Sequence, residues 1–248
     1  MNYLSLFSLL SVVIFANTAH AQSDSLHFRY DAPAQVSAGS YGRLILPAAF
    51  VAYGAATQAI PAFKRLDRFV NNEIAHGHTW IDDYVQYAPA VAVYGLDFAG
   101  VKARNSLRDR TFVMVSSHLI MTASVHAVKN SLSVRRPDNS ADNSFPSGHT
   151  ATAFTGAHIL FREYGGHSPW ISVAGYATAG ATGIMRMMNR KHWLSDVVAG
   201  AGIGILSVEA AYLLLPAFRR IMGDDGRDIS IVPLAGNDMY GLGFACRF

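Results

Sequence analysis

Lys129 is followed after six residues by Arg136 and Pro137, and Pro146-Ser147-Gly148-His149 comes next. Arg186 then precedes His192 by five intervening residues, and Asp196 stands four positions beyond His192. Three fixed cations suit a group with about two negative charges on tetrahedral oxygens, because arginine donates two parallel hydrogen bonds and lysine adds a point charge. Such a group is a phosphate. Ser147 and Gly148 stand where a helix is expected to open, so free backbone N–H groups and the positive end of the helix dipole would face the anion. Gly148 lets that backbone approach closely. His192 and Asp196 lie one helical turn apart, so Asp196 is expected to accept one ring N–H and leave the other nitrogen free to attack. His149 is placed to protonate the departing oxygen.

Each piece has an ordinary reading when taken singly. Lys129 and Arg136 are charges that reach for an interface, and Pro146-Ser147 is a helix start with its cap. His192 with Asp196 is a surface pair, and Arg186 is a cation suiting a helix C-terminus. The conjunction, in order and at matched spacing, is what points to one pocket. No cluster of carboxylates or cysteines at ligand spacing suggests a metal, so the reading calls for no metal and no cofactor. The protein cations themselves would then stabilise the transition state.

The elements that must position these residues are six apolar stretches, at about 44–60, 84–101, 111–128, 150–161, 169–185 and 197–215. Each has helical length, is bounded by Gly, Pro or charge, and is rich in Ala and Gly, which lets helices pack closely. Several fall short of the ~20 residues that a bilayer span needs. The expected fold is all-α: a six-helix apolar bundle, associated with a membrane, whose up-and-down order brings the ends of helices three to six together. Between the first two stretches, Lys64, Arg65, Asp67, Arg68 and Glu73 interleave with Phe63, Leu66, Phe69, Val70 and Ile74, as in an amphipathic helix lying along an interface.

Three domains are expected. Residues 1–21 read as a signal peptide, with an apolar core over 4–16 and Ala19-His20-Ala21 as its cleavage site. Residues 22–222 carry the helical bundle. Residues 223–248 form a tail in which 229–234 and 240–248 look like a short hairpin around Gly236-Asn237-Asp238. The single cysteine, Cys246, cannot close an internal disulfide. A formal charge of +3, with no basic run among aromatics, sets nucleic acid aside as a partner. Half the residues are hydrophobic and 15% are charged, at a mean hydropathy of +0.20, which is apolar for a soluble enzyme. Oligomeric state is not legible.

Lys129-x6-Arg136-Pro137, Pro146-Ser147-Gly148-His149 and Arg186-x5-His192-x3-Asp196 resemble the three-part signature of the type 2 phosphatidic acid phosphatase superfamily, which also holds class A acid phosphatases and vanadium haloperoxidases. The resemblance implies a phosphatase in which His192 forms a phosphohistidine, oriented by Asp196, with His149 as general acid. Lys129, Arg136, Ser147, Gly148 and Arg186 would hold the phosphate. Two features depart from the pattern: Met185 stands where the family usually has Ser, and the interval from Pro137 to Pro146 is short. The apolar helices favour a lipid phosphate or pyrophosphate as substrate; the alternative is a periplasmic acid phosphatase acting on small soluble phosphomonoesters. A silent lipid-binding protein would need the cations but not His149, His192 and Asp196 together. The expected place is the bacterial cell envelope, with the site facing the periplasm.

Overall fold

The computed structural model describes residues 42–74, 77–222, 229–236 and 239–246. The signal peptide over 1–21 and the turn at Asn237-Asp238 lie outside the described residues, as does the side chain of Cys246.

Eight helices are found among the described residues. They are α1 Gly42–Ala59, α2 Pro61–Ile74, α3 Asp82–Val85, α4 Ala88–Phe98, α5 Leu107–Ser131, α6 Gly148–Tyr164, α7 Pro169–Met188 and α8 Leu194–Met222. The amphipathic α2 and the single turn of α3 raise the number above the expected six. The stretch expected at 84–101 starts later, because Tyr87-Ala88-Pro89 begins a new helix with proline in its first turn. Beyond α8, β1 Ile229–Gly236 pairs antiparallel with β2 Met239–Cys246, from Ile229 opposite Cys246 to Gly236 opposite Met239.

Local chemistry sets where the long helices begin. Ser106 caps α5 by accepting from Asp109 N, Ser147 caps α6 by accepting from Thr150 N, and Ser168 caps α7 ahead of Pro169. At the start of α8, Asp196 reaches back to accept from Trp193 N at 2.8 Å, half of a capping box. α2 leaves α1 at a bend of 103°, where Ile60-Pro61 interrupts the chain.

α6 is the central helix, with α4, α5, α7 and α8 packed around it. Away from the site, Val93, Val113, Ile159, Leu160, Tyr164, Val208, Ala211 and Leu215 make the main core. Under the site, Met121, Val125, Ala151 and Ile203 make a smaller one. Glycine permits the closest approach. A methyl on Gly200 would stand 2.5 Å from Ser147 O, and one on Gly204 would stand 2.5 Å from Ala151 O. These two positions, one turn apart on α8, let its backbone rest on the opening turns of α6.

Asp97 and Glu209, which sit inside apolar stretches, find partners. Asp97 pairs with the buried Arg110, and Glu209 accepts from Arg162 and is joined to His158 at 2.7 Å. Carboxylates in such surroundings are stable only when paired.

Candidate active site

The ends of α5, α6 and α7 and the start of α8 converge as the spacing required. The charges of Lys129, Arg136, Arg186 and Asp196 lie close enough to act on one another, and those of Lys129 and Arg186 act on His192. Lys129 comes from the last turn of α5 and donates to the Asn143 carbonyl. Arg136 comes from the loop between α5 and α6, which folds back on itself through Arg136 N to Ala141 O and the Val134–Asn143 bridge. Among the described residues neither cation has an ion-pair partner. The Nε atoms of Arg136 and Arg186 are buried without a hydrogen-bond partner. Unpaired cations with unsatisfied donors at one point call for an anion.

His192 is buried, and its Nδ1 lies 2.7 Å from the carbonyl oxygen of Ser144. A carbonyl only accepts, so Nδ1 carries the proton and Nε2 keeps its lone pair. Burial holds the imidazole down at about 4; Arg186 and Lys129 push in the same direction, and Asp196 opposes them. At neutral pH the ring is therefore an uncharged base. Asp196 is not the nearest partner of Nδ1, although its charge acts on His192. Its Oδ2 stands 3.5 Å from His192 Nδ1 and instead accepts from Trp193 N and from Ser144 Oγ. The start of α8 and the Ser144 hydroxyl take up the carboxylate, which then holds the segment that carries His192 and the Ser144 carbonyl.

Ser147 is drawn inward. Its N–H donates to Asp196 O at 3.0 Å, and its Oγ caps Thr150 N and meets Thr150 Oγ1. It is fully buried, so it builds the anion site rather than lining it. The donors left over are the N–H groups of Gly148 and His149 in the first turn of α6. A side chain at Gly148 would meet only Val125, at 3.9 Å, so the space above this backbone is open.

His149 Nε2 lies 2.8 Å from Asp83 Oδ1. Burial lowers the His149 pKa below the ordinary histidine value, Arg186 adds to this, and Asp83 and Asp82 pull the other way. Arg186 Nη1 donates to the buried Asp82 at 2.6 Å and stands 3.8 Å from Asp83. Asn189 ties this segment down: it donates to Asp82 Oδ1 and to Thr79 O, and it accepts from Thr79 N. Donor atoms of Asp82, Asp83 and His149 thus lie within 4.8 Å of one another, a grouping that the sequence reading, with no carboxylate cluster, did not foresee. The Arg186 guanidinium already stands against both carboxylates, where a metal cation would otherwise be needed.

Sequence reasoning missed Asp82, Asp83, Asn189 and Ser144. The acidic pair at the mouth of an apolar stretch was a visible signal for the first two; Asn189 and Ser144 gave none.

The helical bundle gathers two histidines and three cations at one end, an arrangement whose charge suits a phosphate. Residues 110–220 match the PAP2 superfamily. Over 136 residues it is 45% identical to a lipid A 1-phosphatase of Porphyromonas gingivalis, a match covering 54% of this chain and 31% of the relative. The chain therefore spans about a third of the length of the curated relative that it matches. Among solved structures it is similar to Aquifex aeolicus LpxE, at 24% identity and a TM-score of 0.46, over 60% of this chain and 93% of that one. It is also similar to a transmembrane PAP2 type phosphatidylglycerolphosphate phosphatase from Bacillus subtilis, at 17% identity and a TM-score of 0.45, over 75% and 99%.

Proposed function

We propose that this protein hydrolyses a lipid phosphate or pyrophosphate through a phosphohistidine on His192. The observation that carries the reading is a buried neutral imidazole, fixed through Nδ1 by the Ser144 carbonyl, beside Lys129 and Arg136, which make no ion pair among the described residues. The phosphate would sit on Lys129, Arg136, Arg186 and the N–H groups of Gly148 and His149. Nε2 of His192 then attacks phosphorus, and the bond to the leaving oxygen breaks as His149 delivers its proton. In the second half, His149 takes a proton from water as that water attacks the phosphohistidine, which frees phosphate and restores both imidazoles. Charge on the equatorial oxygens is met by protein cations, with no step assigned to a metal.

A lipid is favoured over a soluble ester by a groove that begins beside the site. Tyr87, Val91, Tyr94, Val115, Leu119 and Thr122 line an almost wholly apolar trough of about 520 Å³ between α4 and α5. Its upper end, at Tyr87 and Thr122, lies toward Asp83 and Lys129, so an acyl chain could run down the bundle from a phosphate held there. The 45% identity to a lipid A 1-phosphatase makes a lipid A phosphate the first substrate to try. The site would open on the periplasmic side.

Purified protein in detergent should release phosphate from lipid phosphates faster than from p-nitrophenyl phosphate. Activity should survive chelators and fall with orthovanadate, which mimics five-coordinate phosphorus. His192→Gln should abolish turnover with the helical circular dichroism intact. A dependence on added Mg²⁺ or Zn²⁺, or full activity in His192→Gln, would overturn the mechanism.

A further inference from the structure

Beside the phosphate site lies a second cavity of about 400 Å³, lined among others by Lys64, Asp67, Arg68, Ser133, Arg135 and Trp193. Trp193 directly follows His192 and Arg135 directly precedes Arg136, and the charge of Asp196 acts on Asp67 in the cavity, so the two sites are built on the same segments.

The cavity is charged and braced. Lys64, Asp67 and Arg68 occupy one flank of α2 at i, i+3 and i+4 spacing. Asp67 is buried and accepts from Ser195 N at 2.9 Å and from Ser195 Oγ at 2.6 Å, which pins α2 to the first turn of α8. That anchor fixes the path of the helix carrying Lys64 and Arg68. Neither of these two makes an ion pair among the described residues, whereas Arg135 is matched by Asp142 at 3.0 Å. On the opposite wall the Trp193 indole is held by its N–H to Arg135 O at 2.8 Å. Two cations, a held aromatic ring and room for a sugar-sized group together suit an anionic polyol.

We propose that this cavity is a second anion subsite, which takes a phosphorylated headgroup carried by the substrate beyond the phosphate that is cleaved. The subsite deepens the function proposed above and rests on it for the identity of the first phosphate. Apolar Leu66 and Phe69 are exposed on the other flank of α2, leaving Lys64 and Arg68 turned to the cavity.

The test reads binding, so it does not depend on turnover. The full chain carrying His192→Gln, in detergent micelles, is titrated with two synthetic glycolipids. One bears a phosphate at each end of its sugar headgroup; in the other the far phosphate is replaced by hydroxyl. The doubly phosphorylated probe should bind more tightly, and Lys64→Ala with Arg68→Ala should weaken it by about tenfold or more while leaving the other probe within about twofold. Equal weakening of both probes would mean a general field or docking on a lipid surface, and would overturn the subsite. No weakening of either would overturn it too, as would saturation of the cavity by inorganic phosphate with no gain from the far group. Phosphate release by the protein with His192 intact is measured separately. If that fails while the two probes are still told apart, the catalytic reading falls and the subsite stands.

Discussion

Two side chains at the site have duties that their neighbours set. In the proposed reaction His149 must be protonated to act as an acid, and His192 must be unprotonated to attack. His192, held down at about 4 by burial, loses its nucleophilic form only as pH falls toward that value. His149 also titrates below the ordinary histidine value, because burial and Arg186 outweigh Asp83 and Asp82. The pH profile of kcat/KM should therefore be a bell on the acid side of neutrality. Asp83→Asn removes a carboxylate that favours the imidazolium, so the alkaline limb should move to lower pH while the acid limb stays in place. A profile that does not move would separate Asp83 from the acid. Asp196→Asn is expected to act on stability more than on chemistry. It disturbs a buried acceptor of Trp193 N and Ser144 Oγ, a loss of about 1–3 kcal/mol by thermal or chemical unfolding. Its activity should remain above that of His192→Gln, and equal loss in the two variants would restore the direct role for Asp196.

At the scale of elements, the site depends on how closely α8 lies against α6. The carbonyl of Asp196 accepts from Ser147 N, and Gly200 one turn later passes under Ser147 O. This contact sets the distance between the segment bearing His192 and the turn bearing Gly148 and His149. Gly200→Ala would put a methyl 2.5 Å from backbone, which cannot rotate away as a side chain can. The expected result is a loss of about 1–3 kcal/mol in stability, with kcat reduced in whatever protein folds. Gly180→Ala, where a methyl meets nothing within 4 Å, is the control and should leave both unchanged. A fall in stability alone, with kcat intact, would show that this crossing holds the bundle without tuning the site.

For the whole molecule, α5 and α8 are long and apolar enough to cross a membrane, and the bent pair α1–α2 would make a third such element. At the end that holds the site, Trp80, Tyr84 and Tyr87 are exposed, as are Phe63, Leu66 and Phe69 beside Lys64, Arg65 and Arg68. Aromatic and basic residues in this mixture belong at headgroup level. The protein should therefore stay with the membrane through a high-salt wash and leave it only in detergent. The side on which the site opens can be read with one cysteine. Ser140 is exposed on the loop beside Arg136, and Ser140→Cys in a Cys246→Ser background should react with an impermeant maleimide in intact spheroplasts. Labelling only after lysis would place the chemistry in the cytoplasm.

Residue types and spacing were enough to bring six candidate residues together. Lys129, Arg136, Gly148, His149, Arg186 and His192 all reach one end of the bundle, because antiparallel helices of similar length return their ends to the same side. Caps and apolar stretches were equally legible, since each depends on residues within a turn or two. The i, i+4 spacing of His192 and Asp196 was legible too, and the two do meet at 3.5 Å, but it left out a nearer partner. Spacing shows which side chains share a face, and it does not show that a carbonyl from another segment, that of Ser144, will reach the ring first. The same limit hid the Arg186–Asp82 pair and the hold of Asp83 on His149, whose partners come from the single turn of α3. Ser147, fitted by type to bind phosphate, was instead turned inward by its own cap and by Asp196 O. Hydrogen-bond partners of buried groups are chosen by which chain segments packing brings within about 3 Å, and only the tertiary structure decides that.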